Sequence, residues 1–310
     1  MLITIALLAL GFLLLVKGAD YFVSGSSSVA RRLRIPPVVI GLTIVAMGTS
    51  MPEASVSVTA ALAGSNEIAL SNVVGSNIFN LLAVAGAAAL ICPYPADRDI
   101  VRRDLPVNTL VTGLLIVLMG NGTLSRPDGL LLLIGMAAYL FFVVRAALRD
   151  RTAMEAVDDR APLSLPLCTV LITGGLAMIV LGGDLVVDAA CEIARVFGMS
   201  ETVIGLTIVA IGTSLPELVT SVVAARKGES ELALGNVIGS NLFNILFILG
   251  ASAVLSPIAV LDAGVIDAVL LLVLTGATWL LCRARPVLDR RIGVLGIALY
   301  AVYTAYILIR

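Results

Sequence analysis

The chain contains an internal duplication that is polar where the rest of the sequence is apolar. Residues 41–80 and 205–244 align without a gap at an offset of 164 positions, and 26 of the 40 aligned positions are identical. The best preserved stretches are rich in polar residues: Gly-Thr-Ser-x-Pro-Glu in each copy, followed by Asn-Val-x-Gly-Ser-Asn-x-Phe-Asn. Apolar character alone preserves leucine and valine, not glutamate, asparagine and serine. The repeat therefore predicts a two-fold polar site built from both copies.

Composition places this repeat in a membrane. The chain has 310 residues, of which 59% are hydrophobic and 13% are charged, whereas soluble domains carry about 25% charged residues. A spanning helix needs about 20 mainly apolar residues. Ten predicted transmembrane helices cover residues 2–30, 36–63, 67–91, 106–121, 128–148, 164–194, 201–225, 230–256, 262–282 and 291–309. The sequence therefore predicts an all-α integral membrane protein whose first stretch is a retained helix and not a cleaved signal peptide.

Positive charges set the orientation of these helices. Sixteen of the twenty Lys and Arg residues fall in loops on one side of the membrane. The other side holds Arg126, Arg195 and Arg310, while Lys17 lies within the first helix, where an ion pair with Asp20 is expected. Because cytoplasmic loops are rich in Lys and Arg, the sequence predicts a multi-pass protein of the plasma (inner) membrane with both termini outside.

The orientation makes the repeat an inverted one. Each half contributes five helices, an odd number, so the second half enters the membrane from the opposite side. The predicted units are a first five-helix repeat (1–148), a cytoplasmic linker (149–163) and an inverted second five-helix repeat (164–310). Inverted repeats that contain discontinuous helices hold their substrate near the midplane of the bilayer, where the two copies meet.

Helices 2 and 7 carry the signals of such a discontinuity. Gly-Thr-Ser-x-Pro-Glu occupies residues 48–53 and 212–217, near the middle of each helix. Proline removes a backbone donor and clashes with the carbonyl four residues earlier, and glycine loosens the turn. We therefore expect both helices to be discontinuous, and the carbonyls of Ala46 and Ala210 to be released for a ligand. Hydroxyl oxygens stand beside the breaks, on Thr49, Ser50, Thr213 and Ser214.

Two glutamates, Glu53 and Glu217, carry charge into the membrane. An intramembrane carboxylate is costly and needs a partner, and no Lys or Arg lies at a comparable depth in helices 2, 3, 7 or 8. The natural partner is a bound cation or a proton. Helices 3 and 8 add oxygens on one helical face, at Asn72, Ser76, Asn80, Asn236, Ser240 and Asn244. Oxygen-only sets select hard cations such as Ca²⁺ and Na⁺.

These motifs resemble the α-repeats of the sodium/calcium exchanger branch of the calcium/cation antiporter superfamily, prokaryotic type. The resemblance rests on GTS-x-PE followed by GSN-x-FN in both copies, and it extends over most of the chain. It implies exchange of cytoplasmic Ca²⁺ for external Na⁺ by alternating access, in which helices 1 and 6 slide across the rest of the protein. It implies a central site of four residues, Glu53, Asn80, Glu217 and Asn244. Flanking Na⁺ sites are implied at Thr49, Ser50, Ser76 and the Ala46 carbonyl, mirrored by Thr213, Ser214, Ser240 and the Ala210 carbonyl.

Single positions bear on the choice of ions. Asn244 stands where the potassium-dependent branch of the family, and some prokaryotic members, carry Asp, which argues against K⁺ co-transport and leaves the number of Na⁺ ions open. Thr49 and Thr213 stand where the proton/calcium branch typically carries Asn, which favours Na⁺ as the counter-ion. A Ca²⁺/H⁺ exchanger is the alternative, because a buried glutamate can also take a proton, and a cation channel is an alternative from another class. Asn77 and Asn241 fit either a ligand role or helix packing.

The remaining expectations concern partners. The sequence predicts a transporter and not an enzyme, without a cofactor. Its expected partners are the transported ions Ca²⁺ and Na⁺, with H⁺ as the alternative, and the lipid bilayer. The arginine clusters fit topological anchors, so no nucleic-acid partner is expected. A monomer suffices for transport, and the oligomeric state is left open.

Overall fold

A computed structural model describes residues 1–64, 66–149, 162–285 and 287–309. The predicted linker, residues 149–163, lies mainly outside the described residues. In the described part of the chain, the regular secondary structure is helical apart from four strands of two residues each. It contains eight helices long and apolar enough to cross a membrane, or ten spans when each of two bent helix pairs is counted as one. The prediction of an all-α membrane protein is confirmed at this level.

The helices follow the apolar stretches of the sequence closely. They are α1 (Leu2–Leu33), α2a (Pro37–Thr49), α2b (Met51–Leu62), α3 (Glu67–Ile91), α4 (Ile100–Asn121), α5 (Arg126–Arg149), α6 (Leu165–Val196), α7a (Thr207–Thr213), α7b (Leu215–Arg226), α8 (Ser230–Leu255), α9 (Asp262–Ala284) and α10 (Arg290–Ile309). A helical turn, Glu201–Ile204, leads into α7a. Each boundary lies close to the predicted one because hydropathy and the Gly and Pro positions are local properties of the chain.

Two short antiparallel strand pairs join loops from the two halves of the chain. They are β1 (Tyr94–Pro95) with β4 (Val287–Leu288), where Tyr94 lies opposite Leu288, and β2 (Thr123–Leu124) with β3 (Ile258–Ala259), where Leu124 lies opposite Ile258. The first pair connects the α3–α4 loop to the α9–α10 loop. The second connects the α4–α5 loop to the α8–α9 loop. Each strand pair thus connects a loop of the first half of the chain to a loop of the second half.

Glycines bring α1 and α6 into close contact along much of their length. A Cβ atom added at Gly18 would lie 2.7 Å from the carbonyl oxygen of Gly175, and one added at Gly182 would lie 2.7 Å from the carbonyl oxygen of Gly11. Small residues let membrane helices approach in this way, so that van der Waals contact holds them together. The two helices therefore form one packed unit.

The polar helices α3 and α8 lie at the centre, but their surroundings differ. A Cβ atom added at Gly239 of α8 would lie 2.7 Å from the carbonyl oxygen of Leu42 in α2a. The repeat-related Gly75 of α3 has no neighbouring atom within 4 Å of such a Cβ. Helix α8 is therefore packed tightly against α2a, while α3 leaves open space on the corresponding face.

Ion pairs bind α1 to the turn between α7b and α8. The Nζ atom of Lys227 lies 2.7 Å from Asp20 Oδ1, and Arg31 Nη1 lies 3.1 Å from Glu229 Oε1. The expected pair of Asp20 with Lys17 is therefore wrong. Lys227 prevails because its ammonium group also donates to the carbonyl oxygen of Asp20, at 2.8 Å, so one side chain satisfies several acceptors.

Candidate cation-binding site

Each GTS-x-PE motif forms a sharp bend between two helices. Helix α2a meets α2b at 49°, and α7a meets α7b at 52°. The bends centre on Ser50 and Ser214, whose ψ angles are 11° and 7°. Proline lies in the first turn of each second segment, where its missing N–H costs no helical bond. Glu53 and Glu217 consequently lie in the first turns of α2b and α7b, where the positive end of a helix dipole favours a carboxylate.

The bends do not release the two alanine carbonyls equally. The Ala46 carbonyl oxygen still accepts the backbone N–H of Ser50 at 3.1 Å, so the expectation that it leaves the helical pattern is wrong. In the second repeat, the N–H of Ser214 donates to the carbonyl oxygen of Ile211 at 3.1 Å. The motif proline deprives the glycine carbonyl, four residues earlier, of its donor, so the break begins after the alanine. A carbonyl oxygen has two lone pairs, and the second lone pair of Ala46 can still meet a cation.

Each glutamate is held by a serine of the other repeat. The hydroxyl of Ser50 donates to Glu217 Oε1 over 2.7 Å, and the hydroxyl of Ser214 donates to Glu53 Oε1 over 2.8 Å. All four residues are fully buried. The exchange brings the two carboxylates to the interface of the repeats. It fixes one oxygen of each carboxylate and leaves each Oε2 without a hydrogen bond from the described residues.

Two asparagines complete this centre. Asn80 and Asn244 are fully buried, and each begins a short π-helical stretch within its helix. Such stretches are frequent at functional sites. The Oδ1 atoms of both asparagines receive no hydrogen bond from the described residues. Buried polar atoms are nearly always satisfied, so these two oxygens and the two Oε2 atoms are four candidate ligand atoms for a cation.

The first flanking set of oxygens is enclosed. Thr49 Oγ1 donates to Asn236 Oδ1 at 3.0 Å, and Ser240 Oγ lies 3.5 Å from the Ala46 carbonyl oxygen. Ala46, Thr49 and Ser240 are all fully buried. Thr49 and Ser240 also lie close to the carboxylate of Glu217. Helices α2a and α8 supply this set together.

The second flanking set lies beside a cavity of about 570 Å³. Ser76, Ala210 and Thr213 line this cavity, and the carboxylates of Glu67 and Asp267 line it as well. Thr213 Oγ1 lies 3.4 Å from the carbonyl oxygen of Ala210. One side of the site is therefore open where the repeat-related side is closed. The acidic lining favours cations in the opening.

The two serines of the GSN motifs are exchanged relative to the sequence prediction. The sequence grouped Ser76 with Ala46 and grouped Ser240 with Ala210. The structure places Ser240 against Ala46, and it places Ser76 beside Ala210 in the cavity. The grouping by repeat is therefore wrong, because α8 of the second repeat packs on α2a of the first and α3 faces α7a.

A further pair of asparagines, outside the central and flanking sets that the family resemblance implies, supports the backbone at the glutamates. Asn72 and Asn236 donate to the carbonyl oxygen of the glutamate in their own repeat, at 3.3 and 3.4 Å. Each also donates to a serine hydroxyl at 3.0 Å, Ser57 and Ser221 respectively. The signal in the sequence is that these asparagines and serines recur at the repeat offset.

The candidate ligand set has the chemistry that suits a hard cation. Among the described residues, no group of three or more His, Cys, Asp and Glu side chains could hold a metal ion. The candidate ligands are instead two carboxylates together with amide, hydroxyl and carbonyl oxygens. Such oxygens suit Ca²⁺ and Na⁺ and are poor ligands for softer metals.

Known proteins resemble the chain over most of its length. A family model described as sodium/calcium exchanger protein matches residues 3–145 and again residues 167–309. The sodium/calcium exchanger MaX1 of Methanosarcina acetivorans is 33% identical over 294 residues, covering 83% of this chain and 84% of that protein. The inner membrane protein YrbG of Escherichia coli is 40% identical over 264 residues, covering 83% of this chain and 81% of that protein. A structure of the sodium-calcium exchanger NCX_Mj, soaked with 2.5 mM Na⁺ and 0.1 mM Ca²⁺, has a TM-score of 0.86 at 31% identity and covers 98% of both chains.

Proposed function

This chain belongs to the sodium/calcium exchanger family, and from that membership we propose that it exchanges Ca²⁺ for Na⁺ across the membrane by alternating access. The family consists of cation antiporters, which are secondary transporters and not enzymes. The observation that carries the proposal is the set of four buried oxygens, on Glu53, Asn80, Glu217 and Asn244, that the described residues leave without a hydrogen bond.

The chemistry of the centre allows the two ions to compete. Two carboxylates neutralise one Ca²⁺, and neutral oxygens can complete its shell. Thr49 and Ser240 lie close to the Glu217 carboxylate, and Thr213 lies close to the Glu53 carboxylate. Na⁺ ions held by the flanking oxygens thus draw on the same carboxylates as Ca²⁺. Loading of Na⁺ disfavours Ca²⁺, and this negative coupling links the two fluxes.

The proposed architecture is ten helices in two inverted repeats, residues 1–148 and 164–310, with helices 2 and 7 discontinuous. Three observations support it: one family model matches each half of the chain, both motifs bend by about 50°, and the serine–glutamate bonds are reciprocal. The bias of Lys and Arg supports both termini outside. The name of the Escherichia coli relative supports an inner-membrane location.

The described conformation fits an outward-facing state. The cavity beside Ala210 and Thr213 is lined by ends of α3, α7a, α9 and α10 that the charge bias assigns to the outside. On the opposite side, Lys227 and Glu229 bind α1. In the proposed cycle, α1 and α6 move as one packed unit, which closes the outer cavity and opens the inner side.

Flux into proteoliposomes under separately imposed gradients tests the proposed function. We expect Ca²⁺ uptake under a Na⁺ gradient and none under a K⁺ or H⁺ gradient alone. Uptake driven by a pH gradient without sodium would contradict the choice of counter-ion and identify a Ca²⁺/H⁺ exchanger. A current far above carrier turnover would identify a channel and overturn the antiporter mechanism.

Loss of the Lys227 side chain is expected to favour the inward-facing state. Lys227 Nζ contacts Asp20 Oδ1 and Ser24 Oγ at 2.7 and 2.6 Å, and the repeat-related position 63 is an alanine. The outer side therefore has no counterpart of the Lys227 ammonium group at this position. In Lys227→Ala, we expect the half-saturating Ca²⁺ concentration at the inner face, relative to the outer face, to fall about two- to fivefold, since a partly exposed ion pair contributes up to about 1 kcal/mol.

The measurement compares Ca²⁺ dependence from both faces in vesicles of known sidedness. Lys17→Ala is the matched control, because it also removes one lysine charge, on α1, and the ion pair of Asp20 is with Lys227. Lys17→Ala should show the same ratio of half-saturating Ca²⁺ concentrations at the inner and outer faces as the parent protein. An unchanged ratio in Lys227→Ala would show that the ion pair does not bias the two states.

A further inference from the structure

Asn77 and Asn241 face each other where α3 and α8 meet. Both are fully buried. Asn77 Nδ2 donates to the backbone carbonyl oxygen of Asn241 at 3.0 Å, and Asn241 Nδ2 donates to the backbone carbonyl oxygen of Asn77 at 3.3 Å. The two side chains thus form a reciprocal pair across the interface of the repeats.

The backbone contact determines which way each of these amides points. A backbone carbonyl can only accept, so the NH₂ group of Asn77 must face it and the Oδ1 atom must face the other way. That Oδ1 accepts a hydrogen bond from Asn244 Nδ2 at 3.0 Å. Likewise, Asn241 Oδ1 accepts a hydrogen bond from Asn80 Nδ2 at 3.2 Å.

Asn77 and Asn241 in turn determine the orientation of Asn244 and Asn80. Because the NH₂ group of Asn244 is engaged by Asn77 Oδ1, its own Oδ1 is left on the opposite side of the amide. The Oδ1 atoms of Asn244 and Asn80 are the buried atoms that receive no hydrogen bond from the described residues. Without Asn77, the amide of Asn244 could rotate by half a turn and place its NH₂ group, which repels a cation, where its Oδ1 atom now lies. The same holds for Asn80 without Asn241.

We propose that Asn77 and Asn241 are positioning residues that hold the amide oxygens of Asn244 and Asn80 towards the transported cation. The proposal rests on the proposed function, since it assumes that the central oxygens bind Ca²⁺. It extends the site by a layer that contacts no ion. Each positioning residue acts on the asparagine of the other repeat, so the orientation of each ligand depends on the contact between α3 and α8.

Helix packing alone does not account for this arrangement. A residue that only filled space would need neither the amide donor nor the amide acceptor, whereas both ends of Asn77 and both ends of Asn241 are used. Residues that orient metal ligands from outside the ligand shell typically change metal affinity by about 10- to 100-fold when they are replaced. The same range is expected here.

A double-mutant cycle on Ca²⁺ binding tests the proposal. The variants are Asn77→Leu, which keeps the volume of the side chain, Asn244→Ala, and the two combined. Equilibrium binding of radiolabelled Ca²⁺ to the purified full-length protein is measured for each. We expect Asn77→Leu to weaken Ca²⁺ binding by about tenfold or more. In the Asn244→Ala background, we expect Asn77→Leu to weaken Ca²⁺ binding little further, because its effect passes through Asn244.

The same cycle contains the outcome that would overturn the proposal. If Asn77→Leu weakens binding equally in both backgrounds, or not at all, Asn77 does not act through Asn244. Asn108→Leu is the matched control, since Asn108 is a buried amide of α4 that makes no hydrogen bond with the described residues. That variant should bind Ca²⁺ as the parent does. Binding is measured without a Na⁺ gradient, so failure of Na⁺-driven uptake in the parent would refute the proposed function separately.

Discussion

Replacing Glu53 or Glu217 by glutamine is expected to abolish Na⁺-driven Ca²⁺ uptake. Glutamine retains the size of the side chain and an oxygen that can accept the hydrogen bond from Ser214 or Ser50. It removes one of the two charges that balance Ca²⁺ in a fully buried centre. Removing one partner of a buried ion pair costs about 3–5 kcal/mol, so the uptake rate should fall by at least about 100-fold. The measurement is uptake of radiolabelled Ca²⁺ into Na⁺-loaded vesicles at equal protein content.

Glu192→Gln provides the control for this experiment. Glu192 lies on α6 with its side chain exposed, so the substitution removes the same charge from a position outside the buried centre. Its uptake should match that of the parent protein. Undiminished uptake in Glu53→Gln or in Glu217→Gln would refute the assignment of the centre, because both carboxylates are needed to neutralise the divalent ion.

Gly175→Leu is expected to prevent α1 and α6 from packing together. A Cβ atom at this position would lie 2.7 Å from the carbonyl oxygen of Gly18 and 2.7 Å from the backbone nitrogen of Phe22. Because both obstacles are backbone atoms, no rotamer change relieves the clash and the helices must separate. We expect the free energy of unfolding to fall by about 3 kcal/mol or more. Thermal unfolding in detergent, followed by tryptophan fluorescence or by loss of the monodisperse peak, measures the effect.

The neighbouring glycine supplies a matched control. Gly174 is exposed, and a Cβ atom there would have no neighbouring atom within 4 Å. Gly174→Leu should therefore leave the unfolding temperature close to that of the parent protein. Equal stability of the two leucine variants would mean that the close approach of α1 and α6 does not stabilise the fold.

The extent of each helix was predictable because the signals are local. Apolar length predicted the spans, and the Gly and Pro of GTS-x-PE predicted where α2 and α7 deviate from a straight helix. In the first repeat the break lies after Ala46, because proline affects the carbonyl four residues before it, that of Gly48. The helical bond from Ser50 to Ala46 therefore persists.

Interactions between distant residues were less predictable. The glycines that pair α1 with α6 recur every seven residues, at positions 11, 18 and 25 and at 175 and 182. That spacing is a signal of small-residue packing in membranes, although it does not say which helix lies opposite. The partner of Asp20 illustrates the same point. Lys17 is near in sequence, but the fold brings Lys227 to it from 207 residues away.

The sequence by itself determined that two copies of one oxygen-rich segment lie within a membrane, because hydropathy and residue type are properties of the chain alone. The tertiary structure decided how those oxygens combine. It placed Ser240 with Ala46, gave each glutamate a serine from the other repeat, and closed one flanking set while opening the other. The physical reason is that the two segments share 26 of 40 residues, including the whole of GTS-x-PE and GSN-x-FN. Only the packing of α8 on α2a, and the space left beside α3, can make equivalent positions differ.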